Sequence, residues 1–249
     1  MSSPQFVSRT QLHSRRPKRS PFRAFLGVLG EILLTLSLVA GGYIAWQLWW
    51  TTFEVQDGVA RRVDDFQAEF PSESRAGTPR YDAPPIIDEP AYGETFGVLH
   101  VPKWDWMQIP ITQGTTKEIL DTGNAGHYVE TQLPGQVGNF ALAGHRRTYG
   151  NNFRRVDILT PGDQLVVETK DAYLVYEMDS FEIVLPSAVG VLLPVPNEPG
   201  VKPTQRLMTM TTCHPEFGNS ERYIVYSKFA FWTTKDDGVP QILLDEPVR

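Results

Sequence analysis

Gln205-Arg206-Leu207-Met208-Thr209-Met210-Thr211-Thr212-Cys213-His214-Pro215, then residues 216–221, then Arg222-Tyr223-Ile224-Val225-Tyr226-Ser227-Lys228-Phe229-Ala230-Phe231-Trp232, is the stretch that decides the fold. Both flanks are rich in β-branched, aromatic and apolar residues, and the segment between them carries Gly218, Asn219 and Ser220. The pattern predicts strands over 205–212 and 223–232 joined by a loop. Pro215 has no N–H to donate to a ladder, so the first strand stops near Cys213. An antiparallel hairpin of this length sets Cys213 beside Arg222 at its mouth, with the two strands only ~4.8 Å apart.

Upstream the same texture recurs. Short apolar or alternating runs at 95–101, 107–112, 139–144, 164–169 and 173–184 are bounded by Gly, Pro, Asn and Asp, as strands and turns require. Residues 115–122 and 152–159 read as short helices in connections. The fold class is therefore all-β, with seven or eight strands between 91 and 233 closing, or nearly closing, one barrel. The polar tail 234–249 reads as loose.

Toward the N-terminus the pattern changes. The 249-residue chain has a net charge of -6, but Arg9, Arg15, Arg16, Lys18, Arg19 and Arg23 precede any acidic residue. Setting those six aside leaves 17 basic against 29 acidic side chains, a balance that argues against nucleic-acid binding. Residues 32–50 contain 19 consecutive positions without a charge, enough for about 28 Å of helix against a hydrocarbon core of ~30 Å. Tyr43, Trp46, Trp49 and Trp50 gather toward one end, where an aromatic belt lies. The positive-inside rule then makes 1–23 a basic cytoplasmic segment and 24–52 a transmembrane anchor, and puts the rest outside. A cleaved signal peptide is the competing reading, but no small-residue site follows Trp50. Val55, Val59, Val63, Phe66 and Phe70 recur at helical spacing, and five prolines fall within 71–90. Residues 53–90 thus read as a short stalk helix and an extended linker that gives reach.

Cys213 is the only cysteine, so no intrachain disulfide exists. An unpaired thiol on an exported domain is either a core residue or a nucleophile. Residues 140–146, Phe-Ala-Leu-Ala-Gly-His-Arg, end another apolar strand on His145. A thiol with pKa ~8.5 needs a base to become a thiolate. A histidine can serve and then protonate a leaving amine, while an arginine can hold a developing oxyanion. His127 and His214 also sit in loop positions, so chemistry alone leaves the choice of histidine open. His100 reads as packing within a strand. No cluster of His or carboxylates has metal-ligand spacing, and no cofactor is expected.

Thr209-Met210-Thr211-Thr212-Cys213 resembles the Thr-Leu-x-Thr-Cys motif of the sortase family. Thr211–His214 with Pro215, residues 138–146 with Thr148-Tyr149-Gly150, Pro161-Gly162-Asp163 and Gln47-Leu48-Trp49-Trp50-Thr51 are similar to its class E. The resemblance implies an eight-stranded β-barrel with His145 as acid/base, Cys213 as nucleophile and Arg222 as substrate or oxyanion stabiliser. It implies that Thr211, Thr212, Tyr128 and His214 contact the substrate. It also implies the partners: exported proteins bearing a C-terminal Leu-x-x-Thr-Gly sorting signal, with Ala favoured at the second position, and a cell-wall amine such as a peptidoglycan precursor. The Asp-Pro-aromatic lid of pilin-polymerising class C sortases is not found in this sequence. A pilin polymerase and a non-catalytic, membrane-anchored β binding domain are the alternatives. A wall-processing cysteine peptidase fits less well, because His145 precedes Cys213 and no Ser-His-Gly-Cys motif is present.

Overall fold

The computed structural model describes residues 21–247. Arg9, Arg15, Arg16, Lys18, Arg19 and His13 lie outside them. Residues up to 44 form one unit and residues from 45 onward a second.

In the first unit, α1 (Pro21–Ala45) is long and apolar enough to cross a membrane and buries none of its side chains against protein. Two of its hydroxyls are satisfied within the helix: those of Thr35 and Ser37 donate to the carbonyls of Glu31 and Leu33, one turn back, at 2.8 Å each. A span in lipid has that requirement, since no water is there to serve instead.

The second unit opens with a π-helical turn (Trp46–Trp50) and α2 (Thr51–Glu69). Eight strands follow: β1 (Thr95–Val101), β2 (Met107–Gln113), β3 (Ala125–His127), β4 (Gly138–Ala143), β5 (Gln164–Glu168), β6 (Ala172–Val184), β7 (Arg206–His214) and β8 (Glu221–Thr234). They close in the order β1-β2-β3-β4-β7-β8-β6-β5. The β2–β3 and β4–β7 pairs are parallel, and the other pairs are antiparallel. One short α-helix, α3 (Lys117–Leu120), lies in the connection between β2 and β3, and another, α4 (Gln241–Leu244), follows β8. Inward positions such as Leu99, Ile111, Phe140, Leu142, Leu174, Met208 and Met210 fill the interior, as the period-2 pattern demands.

β3 has no counterpart in the sequence reading. It is three residues long and contains Gly126, and it exists because its backbone pairs with β2 and β4. A side-chain pattern carries no trace of such a strand.

The stalk and linker depart from expectation more sharply. α2 lies on the outer face of the barrel, with Val63 and Phe66 packed on Val98. The Pro-rich segment is a strap rather than a free linker. Arg80 exchanges N–H and C=O bonds with Trp232 at 2.8 and 3.0 Å, and Gly77 and Val239 are joined the same way through Arg75. Ile87 enters the core. The tail after 233 is held too, since Trp106 Nε1 donates to the Ile242 carbonyl at 3.1 Å. Prolines thin out the available N–H donors, but isolated donors between them still find sheet-edge acceptors.

Beneath α2 a buried ionic cluster ties these pieces together. Glu168 accepts from Lys235 at 2.6 Å, Gln67 at 3.0 Å and Tyr173 at 3.2 Å, and lies 2.7 Å from His100 Nε2. Burial alone would raise the Glu168 pKa. The hydrogen bond and charge of His100, with Lys235, outweigh that and hold it at about 2. His100 is thus a close polar partner of Glu168 rather than simple packing.

Candidate active site

The parallel register of β4 and β7 determines where the reactive side chains emerge. Ala143 is level with Thr211. Gly144 donates its N–H to the Thr211 carbonyl at 3.1 Å, and the Thr212 hydroxyl donates to the Gly144 carbonyl at 2.7 Å. His145 and Cys213 therefore leave the same end of the barrel, each two residues beyond a shared rung. Gly144 is needed for close approach: a Cβ there would stand 2.9 Å from the Phe153 ring. His145 and Cys213 line one cleft of about 470 Å³, with Arg147, Phe217 and Asn219 forming part of its wall. That volume is in the range of small-ligand and peptide sites.

On its other side β7 pairs with β8, and Cys213 stands directly opposite Arg222. Opposed residues of an antiparallel pair project to the same face. The Arg222 guanidinium donates through Nη1 to the Asn219 carbonyl at 3.0 Å and the Glu221 carbonyl at 2.8 Å. It is thus turned onto the backbone of the loop that walls the cleft.

His145 has a partner that sequence reading missed. Its Nε2 lies 2.8 Å from Asp121 Oδ1, and the other Asp121 oxygen is 3.3 Å from Lys117 Nζ. A carboxylate at Nε2 fixes the N–H there and leaves Nδ1 as the proton-transfer nitrogen. The Tyr149 ring flanks the imidazole at 5.5 Å between centroids. Arg146 was quoted only as part of a motif, yet it is nearly fully buried. It donates to Asp157 at 2.9 Å, reaches His214 Nδ1 at 3.0 Å and lies 3.5 Å from the Cys213 carbonyl. It thereby holds the chain on both sides of the nucleophile's carbonyl.

The residues expected to meet substrate are placed unevenly. Tyr128 donates to or accepts from the Thr211 hydroxyl at 3.0 Å. Thr211 is on the Cys213 face of β7, about 6.6 Å along the strand. Thr211 and Thr212 are buried, and their hydroxyls bond the β4 carbonyls of Leu142 and Gly144. His214 is engaged by Arg146. His127 sits in β3 rather than in a loop, and burial lowers its pKa to about 4. Asp121 carried no local signal, because it reaches His145 from another connection at the barrel end.

A family model described as "Sortase domain" matches residues 99–230. Among curated relatives, Sortase SrtE1 of Streptomyces coelicolor is 36% identical over 247 residues, covering 96% of this chain and 67% of that protein. Sortase SrtE2 of the same organism is 38% identical over 237 residues, covering 90% and 88%. Among solved structures, the SrtA sortase from Actinomyces oris superposes with a TM-score of 0.65 at 48% identity, covering 69% of this chain and 100% of that one. Sortase E1 from Streptomyces coelicolor, solved with a tripeptide in its active site, gives 0.57 at 44% identity, covering 61% and 97%.

Proposed function

This chain belongs to the sortase family, in its class E, and is a cysteine transpeptidase; from that premise we propose that it cleaves a C-terminal Leu-x-x-Thr-Gly signal, preferentially Leu-Ala-x-Thr-Gly, between Thr and Gly and joins the Thr to a cell-wall amine. The observation that carries this reading is the common cleft at the ends of β4 and β7, where His145 and Cys213 emerge level with each other.

The Cys213 thiol gives its proton to His145, and the sulfur adds to the Thr carbonyl carbon. Arg222, which shares a face of the sheet with Cys213, releases its backbone carbonyls and donates to the oxyanion. The C–N bond to Gly breaks, and His145 returns its proton to the departing amine. The resulting thioester is attacked by the acceptor amine, which passes a proton to His145; the C–S bond breaks, and the departing Cys213 thiolate takes that proton back to regenerate the thiol. Tyr128 contacts the second signal position. His214 borders the substrate, and Thr211 and Thr212 act by shaping the groove floor. Residues 1–23 lie in the cytoplasm, 24–52 span the membrane, and 91–233 form the catalytic domain outside it. There the enzyme meets exported proteins as they emerge.

The test uses the full chain in detergent with fluorogenic Leu-Ala-x-Thr-Gly and Leu-Pro-x-Thr-Gly peptides, an added amine, and Cys213→Ala as control. Cys213-dependent cleavage with amine transfer is expected, faster for the Ala peptide. Equal binding of the peptides with no cleavage would instead favour a binding domain.

A further inference from the structure

α2 touches both loops that flank His145. On one side, Arg62 donates from Nε to Asn124 Oδ1 at 3.0 Å and from Nη2 to the Thr122 carbonyl, gripping the residues just after Asp121. Asn124 passes the contact inward, donating to the Thr112 hydroxyl at 2.9 Å. Gly123 has φ +82°, and a Cβ there would stand 2.7 Å from Val59 and 3.3 Å from Val55. The loop is thus moulded to the helix. On the other side, Thr148, Tyr149 and Asn151 all take left-handed backbone with φ of 68°, 45° and 53°. Such backbone is costly and persists only where its surroundings impose it. Part of that restraint comes from α2: Thr51 Oγ1 accepts from the Tyr149 N–H at 3.4 Å, and Val55 lies against Gly150. Asn152 joins the two loops by donating to the Gly123 carbonyl.

We propose that α2 is a positioning element of the active site, with Arg62 as a positioning residue that orients His145 through Asp121. The proposal rests on the acid/base role assigned to His145 above. The helix next to the anchor thereby becomes part of the catalytic apparatus, and the Thr148-Tyr149-Gly150 motif gains a purpose as its second contact. The charged and titratable groups facing His145 are Lys117 from α3 and Asp121 just after it, Tyr149, Arg146 and Arg147 from the loop after β4, Cys213 from β7, and Glu216 from the loop between β7 and β8, which pairs with Arg147.

The experiment compares full-length wild type, Arg62→Ala, Arg62→Lys and Gln67→Ala in detergent. Gln67 secures α2 at its far end, onto Glu168, away from both loops. Three readouts are taken: kcat and KM on the signal peptide, thermal midpoint, and the pH profile of Cys213 alkylation by iodoacetamide. Misplacing a catalytic group by an ångström costs up to about a hundredfold. Arg62→Ala is expected to lower kcat about ten- to hundredfold with KM within about twofold, and to displace the alkylation profile. Arg62→Lys recovers part of the loss through a single donor. Gln67→Ala lowers the midpoint and leaves kcat and profile near wild type. Wild-type kcat and profile in Arg62→Ala would overturn the proposal, as would an equal kcat loss in Gln67→Ala at a matched midpoint. If wild type cleaves no signal peptide, the substrate assignment fails, yet the alkylation profiles still decide whether Arg62 governs the Cys213–His145 pair.

Discussion

Asp121 and His145 come from connections 24 residues apart in the chain and are joined by one 2.8 Å contact. Because the carboxylate fixes the tautomer, Asp121→Asn should lower kcat by roughly tenfold or more while KM changes little, measured by steady-state cleavage. Cys213→Ala and His145→Ala should abolish transfer, the latter removing an acid/base worth about 10²- to 10⁴-fold, with circular dichroism unchanged. Arg222→Lys keeps the charge but loses the planar fork, so a loss comparable to removing an oxyanion donor, about 10²-fold, is expected in kcat. The pairing of Cys213 with Arg222 was legible in the sequence, since counting residues across one hairpin suffices. Asp121 and Arg146 were not, because their partners are reached through space across the end of the barrel. His127 adds a pH effect of known sign. Its imidazole is held neutral by burial down to about 4, while an unfolded histidine titrates near 6.5. Between those values the unfolded state binds more protons, so stability rises with pH through that window and is lost as pH falls from 6.5 toward 4. Replacing His127 with Gln should flatten that slope in thermal midpoints taken across the window.

Among the elements, the strands with clear side-chain periodicity were legible to within a few residues. β3 was not, and neither was the docking of α2 or of the strap. α2 does carry an apolar stripe, Val59, Val63 and Phe66, but a stripe alone does not say what it covers. The outward residue Val98 of β1 is its counterpart. The cluster at Glu168 is where the helix, barrel and tail converge. Glu168→Gln would leave the Lys235 ammonium buried without its counter-ion, so unfolding free energy should drop by about 3–5 kcal/mol in denaturant titration. Its pH dependence runs the same way as that of His127 but lower. The depressed carboxylate stabilises the fold above its unfolded pKa near 4.3, and that contribution vanishes as pH falls through about 2.

For the molecule as a whole, the long apolar N-terminal helix, the all-β class and the barrel could be read from hydropathy and turn chemistry. The compactness of everything after residue 45 could not, because it depends on contacts of high sequence separation. A fragment beginning at residue 91 would lose Val63, Phe66 and Ile87 from their packed sites, at ~1.5–3 kcal/mol each. Its thermal midpoint should therefore fall by roughly 10–20 °C relative to the fragment beginning at residue 54, read by calorimetry. The parallel pairing of β4 with β7 has a further consequence. The separation of His145 from Cys213 is measured in ladder rungs, not in residues along the chain. The surface connection between β6 and β7 can lengthen, shorten or acquire new contacts without moving either group, whereas inserting one residue inside β4 or β7 would displace one of them by about 3.3 Å and reverse the face on which it projects. Chain length in that excursion is thus free to vary, while the rungs hold the two reacting groups at a constant separation.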